Sequence, residues 1–357
     1  DVALACQSIN HGLNAIDALM EDLRRFERQR AAETVGIPHT LRVGTVGMPF
    51  ASPSMEELFL EMFDAVSIPV RWRDVESEEG QICWDELDRW IDWAQSRQRR
   101  ILLGPLLRID RHWLPDWVYL LQNRSLDVLL RSIDEFIGRV VERYRGRVDL
   151  WQVAAGLNVP GDLGLVSDDR LRVAAAAIES VRSRAEGTPV VMRFDQPWSE
   201  TLIRSELELP AFYFADALVR AELGLRGIGI DLHWGYWPGG SLHRDALAVH
   251  MMLQRWSRLE LPLLVGLTVP HSLPDNPQDQ QVLSPKSGQP ISDDTQAKHV
   301  GMLASVAAAS PAVHGVAYNA FCDADSPRFA CAGLVTTHGS PRLACQQWRK
   351  ATGANIG

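Results

Sequence analysis

The sequence predicts an α/β chain folded as a (β/α)8 barrel with an N-terminal helical lead-in. Three observations predict it. From about residue 41, short apolar runs rich in β-branched residues alternate with longer amphipathic stretches. The apolar runs number eight, the count of a closed barrel. They are nearly continuous rather than alternating, which implies burial on both faces, as in a parallel sheet.

In chain order, residues 3–33 read as helix, with Ala, Leu and Ile at three- and four-residue spacing beside a polar part rich in Glu and Arg. The expected division is a helical extension over residues 1–40 and a barrel over 41–352. Strands are expected at Arg42–Met48, Ala65–Trp72, Arg100–Leu107, Val148–Ala154, Pro189–Phe194, Gly227–His233, Leu261–Val269 and Val313–Phe321. Helices are clearest at Trp84–Arg97, Leu126–Tyr144, Asp168–Arg184, Arg244–Arg258 and Thr295–Ala308. The stretch His271–Ser292, rich in Pro, Asp, Gln and Ser, reads as a long loop after the seventh strand. A doubly wound open sheet is the rival. It wants a glycine-rich phosphate turn, and Gly44-Thr45-Val46-Gly47 lacks the third glycine at a helix start.

Composition narrows the function classes. The chain has 357 residues and a formal charge of −9, which argues against nucleic acid as a partner. No apolar run is long enough to cross a membrane. No P-loop, HExxH, GxSxG or kinase pattern is present, so no cofactor and no metal is expected. The five cysteines lack zinc-ligand spacing. A Cys322–Cys331 or Cys331–Cys345 bridge is one arrangement, and the odd count leaves at least one thiol unpaired within the chain.

Barrel chemistry sits at the C-terminal ends of strands. There the sequence places Asn158, then Asp195, Gln196 and Trp198 with Glu200 following, then Asp231, His233, Trp234 and Trp237, and finally Asn319 and Asp323. Asp231 and His233 alternate with Ile230 and Leu232, so both point to one side, toward the mouth. Twelve tryptophans is a high number. Flat aromatics suit the C–H face of a sugar, and Asp, Asn, Gln and His suit its hydroxyl rim. Trp90, Trp93 and Trp256 lie at helical positions and fit core packing. Asp195 and Asp323 equally fit a helix N-cap or an ion-pair partner.

Several stretches, in order, resemble glycoside hydrolase family 10, the xylanase-type barrels. They are Phe63–Ser67 through Arg71-Trp72 and Glu79-Gly80; Gly104 followed by Leu114–Val118; Tyr144–Val153 around Trp151; Gly227–His233; and Gly315 through Asp323 with Gly333-Leu334 and Gly339–Arg342. The resemblance runs from about residue 42 to 350. It implies the barrel fold, an oligo- or polysaccharide partner and an extracytoplasmic home. It also implies a glutamate acid/base ending strand four and a glutamate nucleophile ending strand seven.

Neither glutamate is here. The acid/base position falls on Gly156, and the nucleophile on Leu267, or on Gly266 one residue earlier. The family's second-strand Glu-Asn pair becomes Ser67 and Ile68, its third-strand His becomes Pro105, and its eighth-strand Trp becomes Asn319. His233 stays, and Arg71 replaces a Lys. Three readings follow. One is a glycan-binding pseudoenzyme using Arg71, Asn158, Gln196, Trp198, His233, Trp234, Trp237 and Asn319. Another is a hydrolase with relocated carboxylates, Asp231 with Asp195, Glu200 or Asp323. The last is a structural or interaction module of a longer protein.

Overall fold

Eight short parallel strands close on themselves in the computed structural model. It describes residues 40–121, 125–203, 208–274, 281–284, 290–325 and 328–353, with scattered positions between 4 and 29. The strands are β1 (Leu41–Thr45), β2 (Ala65–Ile68), β3 (Arg100–Leu103), β4 (Leu150–Ala155), β5 (Val190–Asp195), β6 (Gly227–His233), β7 (Leu263–Thr268) and β8 (Val313–Tyr318). Each pairs with its sequence neighbours, and β1 closes the barrel on β8, Leu41 opposite Gly315. This is the (β/α)8 architecture the alternation predicts.

The helices that follow the strands are α1 (Pro53–Met62), α2 (Asp85–Ser96), α3 (Leu126–Tyr144), α4 (Ser167–Arg184), α5 (Ala211–Arg220), α6 (Ala246–Trp256), α7 (Asp293–Ala309) and α8 (Leu343–Thr352). Their local chemistry is plain. Ser52 accepts from the Met55 amide at the start of α1, with a proline in its first turn. In α3, Leu129, Ile133, Phe136, Ile137, Val140, Val141 and Tyr144 recur at helical spacing and are buried. Ser292 and Thr295 form a capping box at α7.

Two apolar layers result. Outward-facing strand residues such as Val190, Met192 and Phe194 pack under the helices in the main core. Inward-facing Val43, Ala65, Leu102, Leu264 and Ala317 form a separate small cluster that floors the barrel. The described positions between 4 and 29 are helical, and Ile16 and Leu23 pack against the main core.

Some expectations need correction. Ala65–Trp72 is too long, because β2 ends at Ile68 before Pro69 and Trp72 opens a helical turn. The third strand is interrupted after Leu103 by Gly104 and Pro105, and its pairing with β4 resumes at Leu107, opposite Ala154. Helices α1, α5 and α8 go beyond those singled out. Part of His271–Ser292 (residues 275–280 and 285–289) lies outside the described residues, but Gln281–Val282 pairs antiparallel with Tyr236–Trp237. Neither proposed disulfide forms. Cys322, Cys331 and Cys345 are free; the Cys345 thiol donates to the Leu334 carbonyl at 3.1 Å and the Cys322 thiol to the Thr336 carbonyl.

Packing between β1 and α1 is tight. A Cβ on Gly44 would sit 2.5 Å from ring carbons of both Phe59 and Phe63. Gly44→Ala is therefore expected to cost about 1–3 kcal/mol by overpacking. Urea unfolding checks this, and an unchanged midpoint would contradict the packing described.

Candidate functional site

The period-two pleat sorts each strand into residues that face the helices and residues that face the axis. On β5 the inward set is Val191, Arg193 and Asp195. On β6 it is Gly229, Asp231 and His233, and on β7 it is Leu264, Gly266 and Thr268. Register aligns them: Asp195 lies opposite Asp231, Asp231 opposite Gly266, and His233 opposite Thr268. The mouth of the barrel is thus lined by polar groups on an apolar floor.

Those groups form one connected network. Gln152 donates to Ser67 Oγ at 2.8 Å and accepts from Arg193 Nη1 at 2.8 Å. Arg193 Nη2 ion-pairs with Asp231 and donates to Asn319 Oδ1 at 2.7 Å. Asn319 Nδ2 donates to Asp231 Oδ1 at 3.0 Å and to Thr268 Oγ1 at 3.2 Å. Thr268 Oγ1 lies 2.9 Å from His233 Nδ1, and His233 Nε2 is 3.5 Å from Asp195 Oδ1. Arg108 Nη2 pairs with Asp195, and its Nε donates to Asp110 Oδ2 at 3.0 Å. Arg328 Nη1 reaches the same Asp110 oxygen at 3.0 Å. Three guanidiniums face three carboxylates, so the cluster balances its charge internally.

The electrostatics follow from burial. Burial alone would raise the Asp195 carboxyl, but the Arg108 guanidinium and His233 outweigh it and hold Asp195 far below the ordinary carboxylate range. Burial lowers His233 despite the opposing pull of Asp195, which favours the neutral imidazole. Ligand atoms of Asp195, Asp231 and His233 lie within 4.8 Å of one another, closer than their sequence scatter suggests. Both carboxylates already hold a guanidinium, so a divalent cation would add uncompensated positive charge.

Gly156 and Gly266 lie beside the two buried ion pairs, and neither has room for a side chain. Gly156 has φ +66°, and a Cβ there would lie 2.9 Å from Asp195 Oδ2 and 3.1 Å from Arg108 Nη2. On β7, Leu267 faces outward into the core under the helices, and Gly266 is the inward residue. A Cβ on Gly266 would collide with Asp231 Oδ1 and lie 2.6 Å from Arg193 Nη2. Each glycine leaves room for one Arg–Asp pair.

Beside this network lies a cavity of about 310 Å³, lined among others by Arg71, Trp90, Arg108, Trp113, Asp231, His233, Asn319 and Phe329. Of the sequence candidates, Arg71, Asp231, His233 and Asn319 line it, and Arg71 also pairs with Asp74 at 2.6 Å. Asp195 sits directly behind. Asn158 is buried and clips the Asp195 backbone, with Nδ2 donating to its carbonyl at 2.7 Å.

The others lie elsewhere. Trp234 is fully buried, and Trp198 is covered by Arg244, whose guanidinium carbon is 4.1 Å from the ring centroid. Trp237 is half-buried in the small Tyr236–Trp237 pairing, and Gln196 Nε2 donates to the Pro238 carbonyl. Glu200 is buried against Arg244 at 2.7 Å; Asp323 is held by His271 at 2.8 Å and Arg342 at 2.7 Å. None of these lines the cavity. The apolarity that suggested sugar stacking for Trp234 serves the core instead. Trp90 is the converse, since it also borders the cavity from its helix.

Sequence reasoning passed over Arg193, Gln152, Thr268, Arg328 and Phe329. Arg193 carried a signal: it is a charge at an inward position of an otherwise apolar strand, two residues before Asp195. Arg328 and Phe329 carried none, because only the folded chain brings their loop over the mouth. Phe329 stacks on His233 with centroids 3.7 Å apart and planes 16° from parallel.

Comparison with known proteins supports the barrel. The family model for glycosyl hydrolase family 10 matches residues 45–159. Endo-1,4-beta-xylanase 3 of Hypocrea jecorina, from two strains, is 30% identical over 84 residues, 24% of this chain. The matched stretch spans only 23% of the length of those curated relatives. Among solved structures, native xylanase 10B from Thermotoga maritima superposes with a TM-score of 0.66 at 16% identity, covering 91% of this chain and 97% of that one. Xylanase 10B from Thermotoga petrophila, in complex with xylobiose, gives 0.66 at 16% identity over 91% of this chain and 96% of that one. The fold is that of the family 10 barrels.

Breaking a buried ion pair from one side strands the other charge. Arg193→Met is expected to lose about 3–5 kcal/mol, and Arg193→Met with Asp231→Leu to regain most of it. Urea unfolding of both variants checks this; equal losses would contradict the pairing. The depressed Asp195 carboxyl adds stability that is complete above its unfolded value of about 3.9 and is lost as pH falls toward its lower folded value. Asp195→Asn should therefore flatten the acid side of the stability curve, which thermal melts between pH 2 and 7 would show.

Proposed function

We propose that this chain binds a glycan in the mouth of its barrel and does not cleave it by the two-carboxylate route. The observation that carries this is the filling of the Gly156 and Gly266 positions by the Arg108–Asp195 and Arg193–Asp231 pairs. Retaining hydrolysis needs two carboxyls about 5–5.5 Å apart, one to donate a proton and one to attack. Asp195 is held ionised and has no proton to give. General acid catalysis alone supplies about 10²–10⁴-fold, so its loss is severe. Binding is favoured by the cavity itself, where half-buried Trp113 offers a flat apolar face and the half-buried Arg71 guanidinium offers hydrogen-bond donors. The family likeness favours a β-1,4-linked xylan-type glycan. The proposed binding unit is residues 41–352.

A second reading keeps hydrolysis with relocated carboxylates. The closeness of Asp195, Asp231 and His233 favours it. The guanidinium on each carboxylate weighs against it.

The test is reducing-end release from xylohexaose and a polysaccharide panel at high protein concentration, with calorimetric binding in parallel. The expected outcome is heat of binding and no new reducing ends. Gly266→Glu should not create turnover, because even its Cβ collides with Asp231. Turnover by the wild type that disappears in a folded Asp231→Asn variant would establish the second reading.

A further inference from the structure

Beyond β8, Arg328 and Phe329 lie over the barrel mouth. Arg328 reaches Asp110, which follows β3, although β1 and β2 lie between those strands in the sheet. The next residue, Phe329, stacks on His233 at the end of β6, on the other side of β8. Arg328 and Phe329 therefore form a bar from the β3 side of the mouth to the β6 side. The bar is anchored firmly. Arg108 shares the Asp110 oxygen with Arg328 at 3.0 Å, and Tyr236 Oη, packed against Phe329, donates to the Ala330 carbonyl at 2.6 Å.

Arg328 stands between two cavities above the strands: the one of about 310 Å³, which reaches Thr45, Ser67 and Arg71, and a polar one of about 470 Å³ on the β3–β4 side, bounded by Asp110, Tyr119, Gly156 and Asp162. Arg108, His112 and Arg328 line both, so they are the wall between them. An internal stretch of a polysaccharide must enter and leave a site, which requires an unbroken groove. A walled cavity admits only a chain end or a short oligomer. Small-molecule pockets run to roughly 300–1,000 Å³, and this one lies at the lower end, with room for about two sugar rings.

We infer that the barrel mouth takes a short glycan or a glycan terminus of about two rings, and that the Arg328–Phe329 bar excludes internal polymer. This rests on the glycan reading above and names its ligand class. The Arg108–Asp110–Arg328 arrangement sets the length limit, and the aromatic and polar lining on the Arg71 side sets recognition.

Calorimetry with β-1,4-xylo-oligosaccharides from the disaccharide to the hexasaccharide, on the full chain, tests it. The expected result is an affinity that levels off at the disaccharide, changing less than about threefold to the hexasaccharide. Arg328→Ala should join the two cavities and raise hexasaccharide affinity about tenfold relative to the disaccharide. Wild-type affinity that climbs about tenfold or more with length would overturn the inference and leave the glycan reading intact. A folded Arg328→Ala variant with an unchanged ratio would overturn the role of the bar. Binding at no length would overturn the glycan reading and this inference with it. If Arg328→Ala does not fold, the wild-type length series decides alone.

Discussion

A buried charge must be paired, and in this barrel two arginine–aspartate pairs at the strand ends meet that demand. Arg193 holds Asp231 and Arg108 holds Asp195, all four nearly excluded from water. Much else at the mouth follows from them. Gly156 and Gly266 have no side chain because the ion pairs fill the space one would need. Gln152 and Asn319 accept from Arg193 and fix its angle, Thr268 accepts from Asn319, and Asp110 accepts from Arg108. A network of this kind is stable when complete and costly when any member is removed. It also commits the carboxylates. A carboxylate paired with a guanidinium is held in its ionised form, which disfavours donating a proton.

The barrel beneath makes this arrangement possible. Parallel register brings Asp195, Asp231 and Gly266 abreast on adjacent strands, so groups distant in sequence converge within hydrogen-bond reach. The apolar floor of Val43, Ala65, Leu102, Leu264 and Ala317 keeps water from below. From above, Phe329 covers His233, and Asp325 ties the same loop to the β1 loop by accepting from the Gly47 and Met48 amides. The low-dielectric setting between floor and cover strengthens each pair.

The sequence was legible where one local pattern acted alone. The bounds of β6 and α3 match the expected Gly227–His233 and Leu126–Tyr144, because each is a long, unbroken stretch with one period. It was less legible at β2 and β3, where buried apolar residues and isolated inter-strand bonds continue past the regular ladder, and only Pro69 and Gly104-Pro105 mark its interruption. At the site, pleat alternation correctly put Asp231 and His233 on the mouth side. It held equally for Arg193, which an inventory confined to strand ends passes over. Tryptophans were the least readable, since Trp234 in the core and Trp113 at the cavity have the same local signature. Arg328 and Phe329 depend on a loop path that no local pattern encodes.

The most direct test of the central claim is a crystal structure of the chain soaked with xylobiose. An intact disaccharide is expected in the cavity between Arg71 and Phe329, with the Arg108–Asp195 and Arg193–Asp231 pairs unbroken around it. A cleaved sugar, a sugar bonded to an aspartate, or ion pairs opened to free a carboxylate would contradict it.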